Sequence, residues 1–358
     1  MAVTESTRVS EKELRELAAA VLEAHGVPPE DAMITAAHLV AANLRGVDTH
    51  GVIRLKGYIQ RIESGGNNPR ANIKVVRDTQ MTAVMDGDNS LGQVGGYRAM
   101  ELAIRKAEHA GIGVVAMRGS NHYGMAAYYA MMPLVHDMIG ISMTNVLACM
   151  APTGGTAARV GNDPMSIAFP AGEEPPVVLD MAASKSSWGK AIVCAQKGEP
   201  LPEGCFQDKR GAPTLDGNAF LDGGTLTPIA DHKGYGLALA ISIMCGLLAD
   251  GAFDTALPHL YKKLGEPGGN SFFMMAMKLD NFVPADHFKG RMDETIREIR
   301  STPKTPAVSR IYLPGEIEHE TERERKKHGV PVNRALGDEL VSLAGEAGIG
   351  ESTYGFLM

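Results

Sequence analysis

His50 and Arg54 have the residue types and the spacing that acid–base chemistry on a small carboxylate needs. They stand in the stretch 48–54 (DTHGVIR), at the start of a predicted helix, so both side chains are expected on one helix face. Imidazole exchanges a proton near neutral pH, and guanidinium binds a carboxylate through two parallel hydrogen bonds. Such a pair can hold a 2-oxo or 2-hydroxy acid and handle the proton on its C2 oxygen, which is half of an oxidoreductase site. The alternative is a chance pair on a solvated helix.

A second polar segment consists of Ser120, Asn121 and His122. It follows a predicted strand and precedes a predicted helix, so free backbone N–H groups and polar side chains meet there. His122 can therefore face His50 across a cleft. The alternative is that Ser120 or Asn121 caps the helix and that His122 is structural.

Two further charged residues stand where predicted elements end or begin. Asp180 ends an apolar strand over 176–181, and ligands of α/β domains bind beyond such strand ends; a cap for the next helix is the alternative. Lys233 precedes the uncharged run 234–249, which suits a buried helix. Because a helix N-terminus favours anions, a bound phosphate or carboxylate would account for a lysine at this position.

Composition and charge narrow the class of protein. The chain has 358 residues with 44% hydrophobic and 22% charged residues, which is typical of a globular protein of two lobes or domains. Its net charge of −7 argues against nucleic acid or an anionic membrane as partner. The four scattered cysteines are read as reduced, buried thiols, and no spacing indicates a metal site. With no signal peptide, and with 234–249 shorter than the roughly 20 residues of a membrane span, we expect a cytoplasmic protein.

The positions of predicted helices and strands favour an α/β fold. Helices are predicted at 10–26, where Ser10 and Glu13 form a capping box, and at 28–46, 51–66, 95–110 and 123–137. Strands are predicted at 81–85, 112–117, 139–145 and 176–181. Strands that alternate with helices indicate a mostly covered sheet.

The sequence 111–116 (GIGVVA) matches a dinucleotide-binding fingerprint only on paper. In a Rossmann fold this motif leaves a strand and opens a helix, so that the pyrophosphate lies on the helix N-terminus. Here a helix precedes the motif and a β-rich run follows it. A tight turn into a strand is the better interpretation, and any NAD(P) site must belong to another fold.

Taken together, the motifs resemble the malate/L-lactate dehydrogenase family of the sulfolactate-dehydrogenase type, which also contains ureidoglycolate dehydrogenase, 2,3-diketogulonate reductase and piperideine-2-carboxylate reductase. The resemblance covers about residues 10–348. The motifs occur in the family's order: DTHGVIR at 48–54, LGQV at 91–94, SNHYG at 120–124, TN at 144–145, LDMA at 179–182, GK at 189–190, HKGYGLA at 232–238, PGE at 314–316 and GVPV at 329–332.

The resemblance implies a non-Rossmann NAD(P)-binding α/β domain with a mixed sheet, at about 76–299, plus a helical domain from 1–75 and about 300–358. It implies a homodimer, for which the Met-rich segment 272–277 and the helix at 234–249 offer apolar surface, and an active site in a cleft between domains. The implied roles are catalysis for His50 and His122, substrate binding for Arg54 and Asn121, and binding of NAD or NADP for Ser120, Asn145, Asp180, Met181, Ala182, Lys233, Gly315 and Glu316.

The sequence departs from the family pattern at several positions. Val146 stands where Ser or Thr is usual, and Ala230 lies in a lead-in that is usually rich in glycine. Asp163 makes the turn 161–164 Gly-Asn-Asp-Pro where Gly-Thr-Asn-Pro is more usual, and Ser242 replaces a frequent carboxylate.

Three functions remain open from the sequence. The first is an oxidoreductase of a small 2-oxo or 2-hydroxy acid that uses a histidine proton donor. The second is a reductase of a cyclic imine carboxylate, which needs the same Arg54 but protonates nitrogen. The third is a metal-dependent hydrolase or lyase built on His50, His122, His232 and Asp180, which no known ligand spacing supports.

Overall fold

A seven-stranded mixed sheet lies at the centre of the computed structural model, which describes residues 6–260 and 262–357. The strands of the described residues are β1 (Ser6–Val9), β2 (Lys74–Asp78), β3 (Thr82–Asp86), β4 (Ile112–Ser120), β5 (Met138–Thr144), β6 (Met165–Phe169), β7 (Val177–Met181), β8 (Phe206–Gln207), β9 (Thr225–Leu226), β10 (Asn270–Lys278) and β11 (Val330–Asn333).

Some helices pack against this sheet, and the N-terminal helices form a second group with the C-terminal segment, called the helical layer below. They are α1 (Glu11–Ala24), α2 (Pro29–Leu44), α3 (Leu55–Glu63), α4 (Gly92–Ala110), α5 (Ala126–Met131), α6 (Trp188–Lys197), α7 (Gly217–Leu221), α8 (His232–Ser242), α9 (Ala285–Arg300), α10 (Glu316–His328) and α11 (Arg334–Glu346).

The strand order of the sheet is β2-β3-β4-β10-β5-β6-β7. Strand β3 pairs with β4 in parallel, and the other neighbours in this sheet are antiparallel. A Rossmann sheet consists of parallel strands joined by helical crossovers, so this sheet belongs to a different fold. The α/β class with a mixed, non-Rossmann sheet that the sequence indicated is confirmed.

Helix α4 packs on the centre of the sheet, and the GIGVVA sequence lies at its end. Gly111 has φ +83° and ends the helix, and Ile112 begins β4. Gly113 brings the strand close to α4, because a Cβ there would stand 1.9 Å from the Ala103 carbonyl oxygen. The interpretation of this sequence as a turn into a strand is therefore confirmed.

The N-terminal helices share one apolar core with the C-terminal segment. This core joins residues such as Leu17, Leu39 and Leu55 to Val330 and Leu343. Its first helix begins with the expected capping box, in which Ser10 and Glu13 exchange hydrogen bonds of 3.2 Å with each other's backbone N–H groups. The predicted domain boundaries at 75–76 and about 300 stay a prediction.

Three of the predicted helices differ in the structure. The helix predicted over 51–66 begins only at Leu55, and the one predicted over 123–137 is α5 followed by a 3₁₀ turn, Met132–His136, in which Pro133 supplies no N–H. The helix predicted as buried over 234–249 is α8 followed by a π-helical turn, Ile243–Leu247.

The outer side of that last segment is exposed, so the expectation of a buried helix is wrong. Ile243, Leu247 and Leu248 are 44%, 55% and 57% exposed. Lack of charge in a run does not distinguish a core helix from an apolar surface patch. The Met-rich segment 272–277 is the central strand β10, and its Met274 is fully buried.

Two other expectations concern the cysteines and the membrane. Cys149, Cys194 and Cys245 are buried free thiols, and Cys205 is half-buried. Across residues 6–260 and 262–357 no helix has the length and apolar character that crossing a bilayer needs.

Candidate active site

His50 and Arg54 lie in two successive 3₁₀ turns, Asp48–His50 and Val52–Arg54. Gly51 between them is extended, with φ −84° and ψ −156°. The expectation that both side chains project from one face of a helix is therefore wrong, since α3 begins after Arg54.

The cause of this path is the side chain of Asn43 on α2. Its Nδ2 donates to the Asp48 carboxylate (2.7 Å), and its Oδ1 accepts from the Val52 N–H (2.9 Å). Arg325 of α10 donates to both Asp48 carboxylate oxygens (2.7 and 3.1 Å). These contacts stop a regular helix and hold the two turns against the helical layer.

His122 lies opposite His50, in the irregular segment that links β4 to α5. The two imidazole centroids are 5.6 Å apart, and the ring planes differ by 22°. The Tyr58 hydroxyl lies 2.8 Å from His122 Nδ1, and Gln93 Nε2 donates to the same hydroxyl oxygen (2.9 Å). The Tyr58 hydroxyl can donate to an unprotonated Nδ1 or accept from Nδ1–H, so it pairs with this ring nitrogen in either tautomer.

Both histidines are neutral at pH 7 in this cleft. Burial, with a smaller contribution from the Arg54 charge, lowers the pKa of His50 to about 4. Burial lowers the pKa of His122 well below its usual range, and the charges of His50 and Arg54 add to this effect. Burial also raises the pKa of Tyr58 to about 12, so its hydroxyl keeps its proton.

His38 packs against the segment that carries His122, and the sequence did not indicate this role. It is fully buried on α2, with Nε2 3.2 Å from the Met125 carbonyl oxygen, and burial lowers its pKa to about 3. A neutral, buried ring next to the segment that carries His122 serves as a packing element.

The two histidines open onto a cleft with a volume of about 320 Å³. Its walls mix apolar and polar groups from the helical layer and from the ends of β5, β6 and β7. The lining residues are Val47, His50, His122, Tyr123, Gly124, Met125, Ala126, Thr144, Val146, Asn162, Pro164, Asp180, Met181, Ala182 and Ser187.

Asp180 lies at the end of β7 with its carboxyl open to the cleft. It accepts a hydrogen bond from the Ala127 N–H (3.3 Å), in the first turn of α5. Although solvent reaches the side chain, the surrounding protein desolvates it, which raises the pKa of this carboxyl to about 6. Met181 and Ala182 line the same wall.

Ser120 and Asn121 are buried, and their side chains make hydrogen bonds inside the protein. Ser120 Oγ lies 3.0 Å from Ser90 Oγ. Asn121 Nδ2 donates to the Ser90 carbonyl (2.8 Å), and its Oδ1 accepts from Arg61 (3.1 Å) and from the Gly268 N–H (3.0 Å). In this arrangement both side chains fix the end of β4 and do not line the cleft.

Asn145 has a similar place at the end of β5. Its Oδ1 accepts from the Ser271 N–H (2.8 Å), and its Nδ2 donates to the Ala252 carbonyl (2.8 Å). The side chain is fully buried and fastens the start of β10 to the chain before it.

Lys233, Gly315 and Glu316 are not among the residues that line the cleft. Lys233 is exposed in the first turn of α8. The Glu316 side chain is 4% exposed and pairs with Arg300 (3.0 Å) and Arg310, so its carboxylate is held inside the protein.

Tyr58 and Gln93 complete the site but were not identified from the sequence as functional residues. Tyr58 has the helical spacing of a core position. Gln93 occurs in the LGQV motif, but its residue type and position predicted no role for its side chain. The sequence did contain a signal for Tyr58. A phenol one turn after Arg54, among aliphatic residues, brings a polar hydroxyl group into the core, and such a group needs a hydrogen-bond partner. Among the described residues, no three His, Cys, Asp or Glu side chains are grouped as metal ligands.

Comparison with known proteins gives consistent similarities. A family model described as malate/L-lactate dehydrogenase matches residues 9–341. The malate dehydrogenase of Pyrococcus abyssi is 42% identical over 350 residues, which are 96% of this chain and 95% of that protein. The structure of sulfolactate dehydrogenase from Methanocaldococcus jannaschii has a TM-score of 0.90 at 37% identity and covers 97% of this chain and 99% of that chain. The delta1-piperideine-2-carboxylate reductase from Pseudomonas syringae has a TM-score of 0.86 at 27% identity, with coverage of 94% and 99%.

Replacement of Gly51 by alanine tests the Asn43 contact that shapes the site. A Cβ at this position would stand 2.2 Å from Asn43 Oδ1 and 2.3 Å from its Cγ. We expect Gly51→Ala to lower the free energy of unfolding by about 1–3 kcal/mol, as overpacking does. Urea denaturation measures the change.

The control is Gly290→Ala on α9, where a Cβ meets no atom within 4 Å. This variant should gain about 0.5–1 kcal/mol, because alanine is the better residue inside a helix. Equal free energies of unfolding for Gly51→Ala and the wild type would contradict the proposal that close contact with Asn43 shapes the site.

Proposed function

The chain belongs to the malate/L-lactate dehydrogenase family, and on that premise we propose that it interconverts a small 2-oxo acid and the corresponding 2-hydroxy acid. The reaction is a nicotinamide-dependent hydride transfer with a histidine as proton donor. The observation that carries this proposal is the pair of neutral imidazoles, with ring centroids 5.6 Å apart, that lines the cleft and lies within reach of the Arg54 charge.

Arg54 is proposed to bind the substrate carboxylate. Its Nε donates to the Thr49 carbonyl oxygen (2.6 Å), which keeps the guanidinium next to the turn that carries His50. A carboxylate bound there leaves the C2 oxygen of the acid within the part of the cleft that the histidines line. Such fixed orientation supplies much of the rate of a two-reactant step.

His122 is proposed as the residue that transfers the proton, because its Nδ1 is held by the Tyr58 hydroxyl, which Gln93 holds in turn. The anionic substrate offsets the Arg54 charge that lowers the pKa of His122, so the ring is more readily protonated in the complex. The imidazolium then gives the Nε2 proton to the C2 oxygen during reduction. The neutral ring that results carries its proton on Nδ1, against the Tyr58 oxygen, and in oxidation this ring accepts the substrate proton at Nε2. His50 is proposed to bind the same oxygen from the other side.

The cofactor, NAD or NADP, supplies or accepts the hydride. Asp180, Met181 and Ala182 form a cleft wall with a carboxyl group open to a ligand and an apolar surface beside it, which fits a nicotinamide ribose. Lys233 is proposed to meet a phosphate group, since the Ile229 N–H before it donates to the Ala183 carbonyl (2.9 Å) and so joins its helix to this wall. Contacts of Ser120, Asn145, Gly315 and Glu316 with the cofactor, and of Asn121 with the substrate, stay predictions.

A reductase of a cyclic imine carboxylate is the second candidate. The similarity to a piperideine-2-carboxylate reductase, at 27% identity over 94% of this chain, favours it. The same carboxylate contact with Arg54 applies, and the proton goes to nitrogen.

A cytoplasmic location of the protein remains a prediction.

A homodimer is also proposed, formed through the exposed apolar patch of Ile243, Leu247 and Leu248. These three side chains lie together on the outer side of the segment that follows α8. Contiguous exposed apolar surface of this kind is typical of protein–protein contacts.

Activity is tested by following oxidation of NADH and of NADPH against a panel of 2-oxo acids and cyclic imine carboxylates. We expect turnover of at least one 2-oxo acid. Arg54→Ala should raise KM and lower kcat/KM about 10- to 100-fold, which matches the ~1.5–3 kcal/mol of a hydrogen bond to a charged group. His122→Ala should lower kcat by ~10²–10⁴-fold, the usual contribution of a positioned acid or base.

Arg291→Ala is the control, because this arginine is 69% exposed on α9 and should leave the activity unchanged. If His122→Ala keeps its activity while His50→Ala loses it, the proton donor is His50. Turnover of imines alone would replace the first function by the second, and absence of any dinucleotide binding would refute both.

Tyr58→Phe tests how the ring of His122 is held. It removes the hydroxyl that lies against Nδ1 and should lower kcat by about 10-fold or more, a part of the ~10²–10⁴-fold that acid–base catalysis supplies.

In the wild type, the alkaline fall in the rate of reduction should come at higher pH in kcat than in kcat/KM, because the bound carboxylate raises the pKa of His122. Coincident profiles, or full activity of Tyr58→Phe, would contradict the assignment.

The dimer is tested by sedimentation velocity. We expect a dimer for the wild type and a monomer for Leu247→Glu, since a charge in an apolar contact is costly. Val135→Glu is the control, because Val135 is 87% exposed on another surface and should leave the dimer intact. A monomeric wild type would refute the proposal.

A further inference from the structure

Two aspartates and one serine form a buried cluster behind the cleft wall. Asp163 comes from the turn directly before β6, Asp254 from a 3₁₀ turn, Asp254–Ala256, and Ser242 from the end of α8. All three side chains are fully buried. Ser242 Oγ lies 2.7 Å from Asp163 Oδ2 and also makes a short contact with Asp254 Oδ2.

One hydroxyl group has a single hydrogen and so donates to one of the two carboxyl groups. If both aspartates were ionised, the second oxygen–oxygen contact would have no hydrogen, and two like charges would stand in a buried site. One carboxyl group must therefore carry a proton and donate it to Ser242 Oγ.

The backbone contacts indicate which aspartate is neutral. Asp254 Oδ2 accepts from the Gly161 N–H (2.8 Å) as well as from the serine, so it has no room for a hydrogen of its own. The proton then lies on Asp163 Oδ2, and the direction of donation runs from Asp163 through Ser242 to Asp254. Burial and the neighbouring negative charge of Asp254 raise the pKa of Asp163 well above its usual range.

The cluster fastens two segments that line the cleft. Asp163 Oδ1 accepts from the Val146 N–H (2.9 Å), and Asp254 holds the N–H of Gly161. Val146 and Asn162 are both lining residues. The position of this wall therefore depends on the hydrogen bonds of the cluster.

We propose that neutral Asp163 is a positioning residue, and that its ionisation as pH rises breaks the cluster and displaces the cleft wall at Val146 and Asn162. The protonation itself is independent of the proposed function, whereas its effect on dinucleotide binding rests on that function. The titratable groups that face Asp163 are Asp254 and the buried thiols of Cys149 and Cys245. Burial raises the pKa of both thiols, so they stay neutral alongside it.

The sequence departures at 163 and 242 are one feature of this chain. Where the family pattern has an amide in the turn and frequently a carboxylate in the helix, this chain has a carboxyl group in the turn and a hydroxyl group in the helix. The two side chains touch, at 2.7 Å. An amide keeps its hydrogens at any ordinary pH, whereas a carboxyl group loses its own, so the hydrogen bonds of residue 163 itself depend on pH in this chain.

Infrared difference spectroscopy tests the protonation directly. The spectrum of the wild type minus that of Asp163→Asn, at pH 7, should contain the carbonyl stretch of a neutral carboxyl group. Asp293→Asn is the matched control: Asp293 is also buried but accepts from the N–H groups of Gly172, Glu173 and Glu174. Those hydrogen bonds hold the pKa of Asp293 below its usual value, so no neutral-carboxyl band should be lost. Absence of the band for Asp163, or an equal band for Asp293, would overturn the proposal.

If Asp163→Asn does not fold, the infrared spectrum of Ser242→Ala provides a second measurement of the same carboxyl group. Loss of the serine acceptor must shift the neutral-carboxyl band of Asp163, and an unchanged spectrum would overturn the proposal.

Thermal unfolding checks the direction in which the pKa of Asp163 is shifted. Because the folded pKa of Asp163 is raised, its stabilising effect is present at acid pH and is lost as pH rises from the ordinary carboxyl pKa towards the folded one, so over that range the melting temperature of the wild type should fall relative to Asp163→Asn. A constant difference would contradict this.

The functional consequence is measured as NADH affinity against pH, by nicotinamide fluorescence. Wild-type affinity should fall above the pKa of Asp163 by up to about tenfold per pH unit, the slope for one proton, and Asp163→Asn should lack this fall. Parallel profiles would overturn the positioning role. No NADH binding at any pH, with the infrared band present, would instead refute the proposed function and leave the protonation established.

Discussion

The geometry of the site depends on one amide side chain. Asn43 uses its Nδ2 on Asp48 and its Oδ1 on the Val52 N–H, and thereby places a polar anchor from α2 under the turns that carry His50 and Arg54. A buried amide is costly unless both its donor and its acceptor are used, and here both are. The anchor joins chain segments that are far apart, because Arg325 of α10 completes it through Asp48.

The opposite wall is held by a buried charge. Arg61 on α3 is 1% exposed and donates to the side chains of Asn67 and Asn121 and to carbonyl groups of residues 66, 260, 263 and 266. A buried guanidinium without a carboxylate is tolerated only when its N–H groups are satisfied. Since Asn121 is one of the acceptors and precedes His122, this network sets the position of the second histidine. Both histidines thus depend on polar groups of the helical layer.

Residue types and local patterns predicted much of this molecule, but long-range contacts decided the rest. The strands at 112–117 and 176–181, the capping box at Ser10 and the turn at Gly111 followed from local patterns. The helix expected at His50 failed because its competitor, Asn43, interacts through tertiary contacts that no periodicity contains. The family resemblance implied that Asn145 faces the cofactor, and only the packing reveals that its side chain fastens β10.

The charges around the cleft explain why a neutral site suits an anionic ligand. His50, His122 and Tyr58 carry no charge at pH 7, since burial moves each pKa away from neutrality, so the Arg54 guanidinium acts without a competing cation on either ring. A carboxylate that binds Arg54 removes part of the field that keeps the imidazoles neutral, and proton uptake by a ring then becomes easier. Binding and protonation are therefore coupled by ordinary linkage. The cluster behind the wall follows the same rule in the opposite sense, because burial and the neighbouring negative charge of Asp254 both favour the protonated form of Asp163.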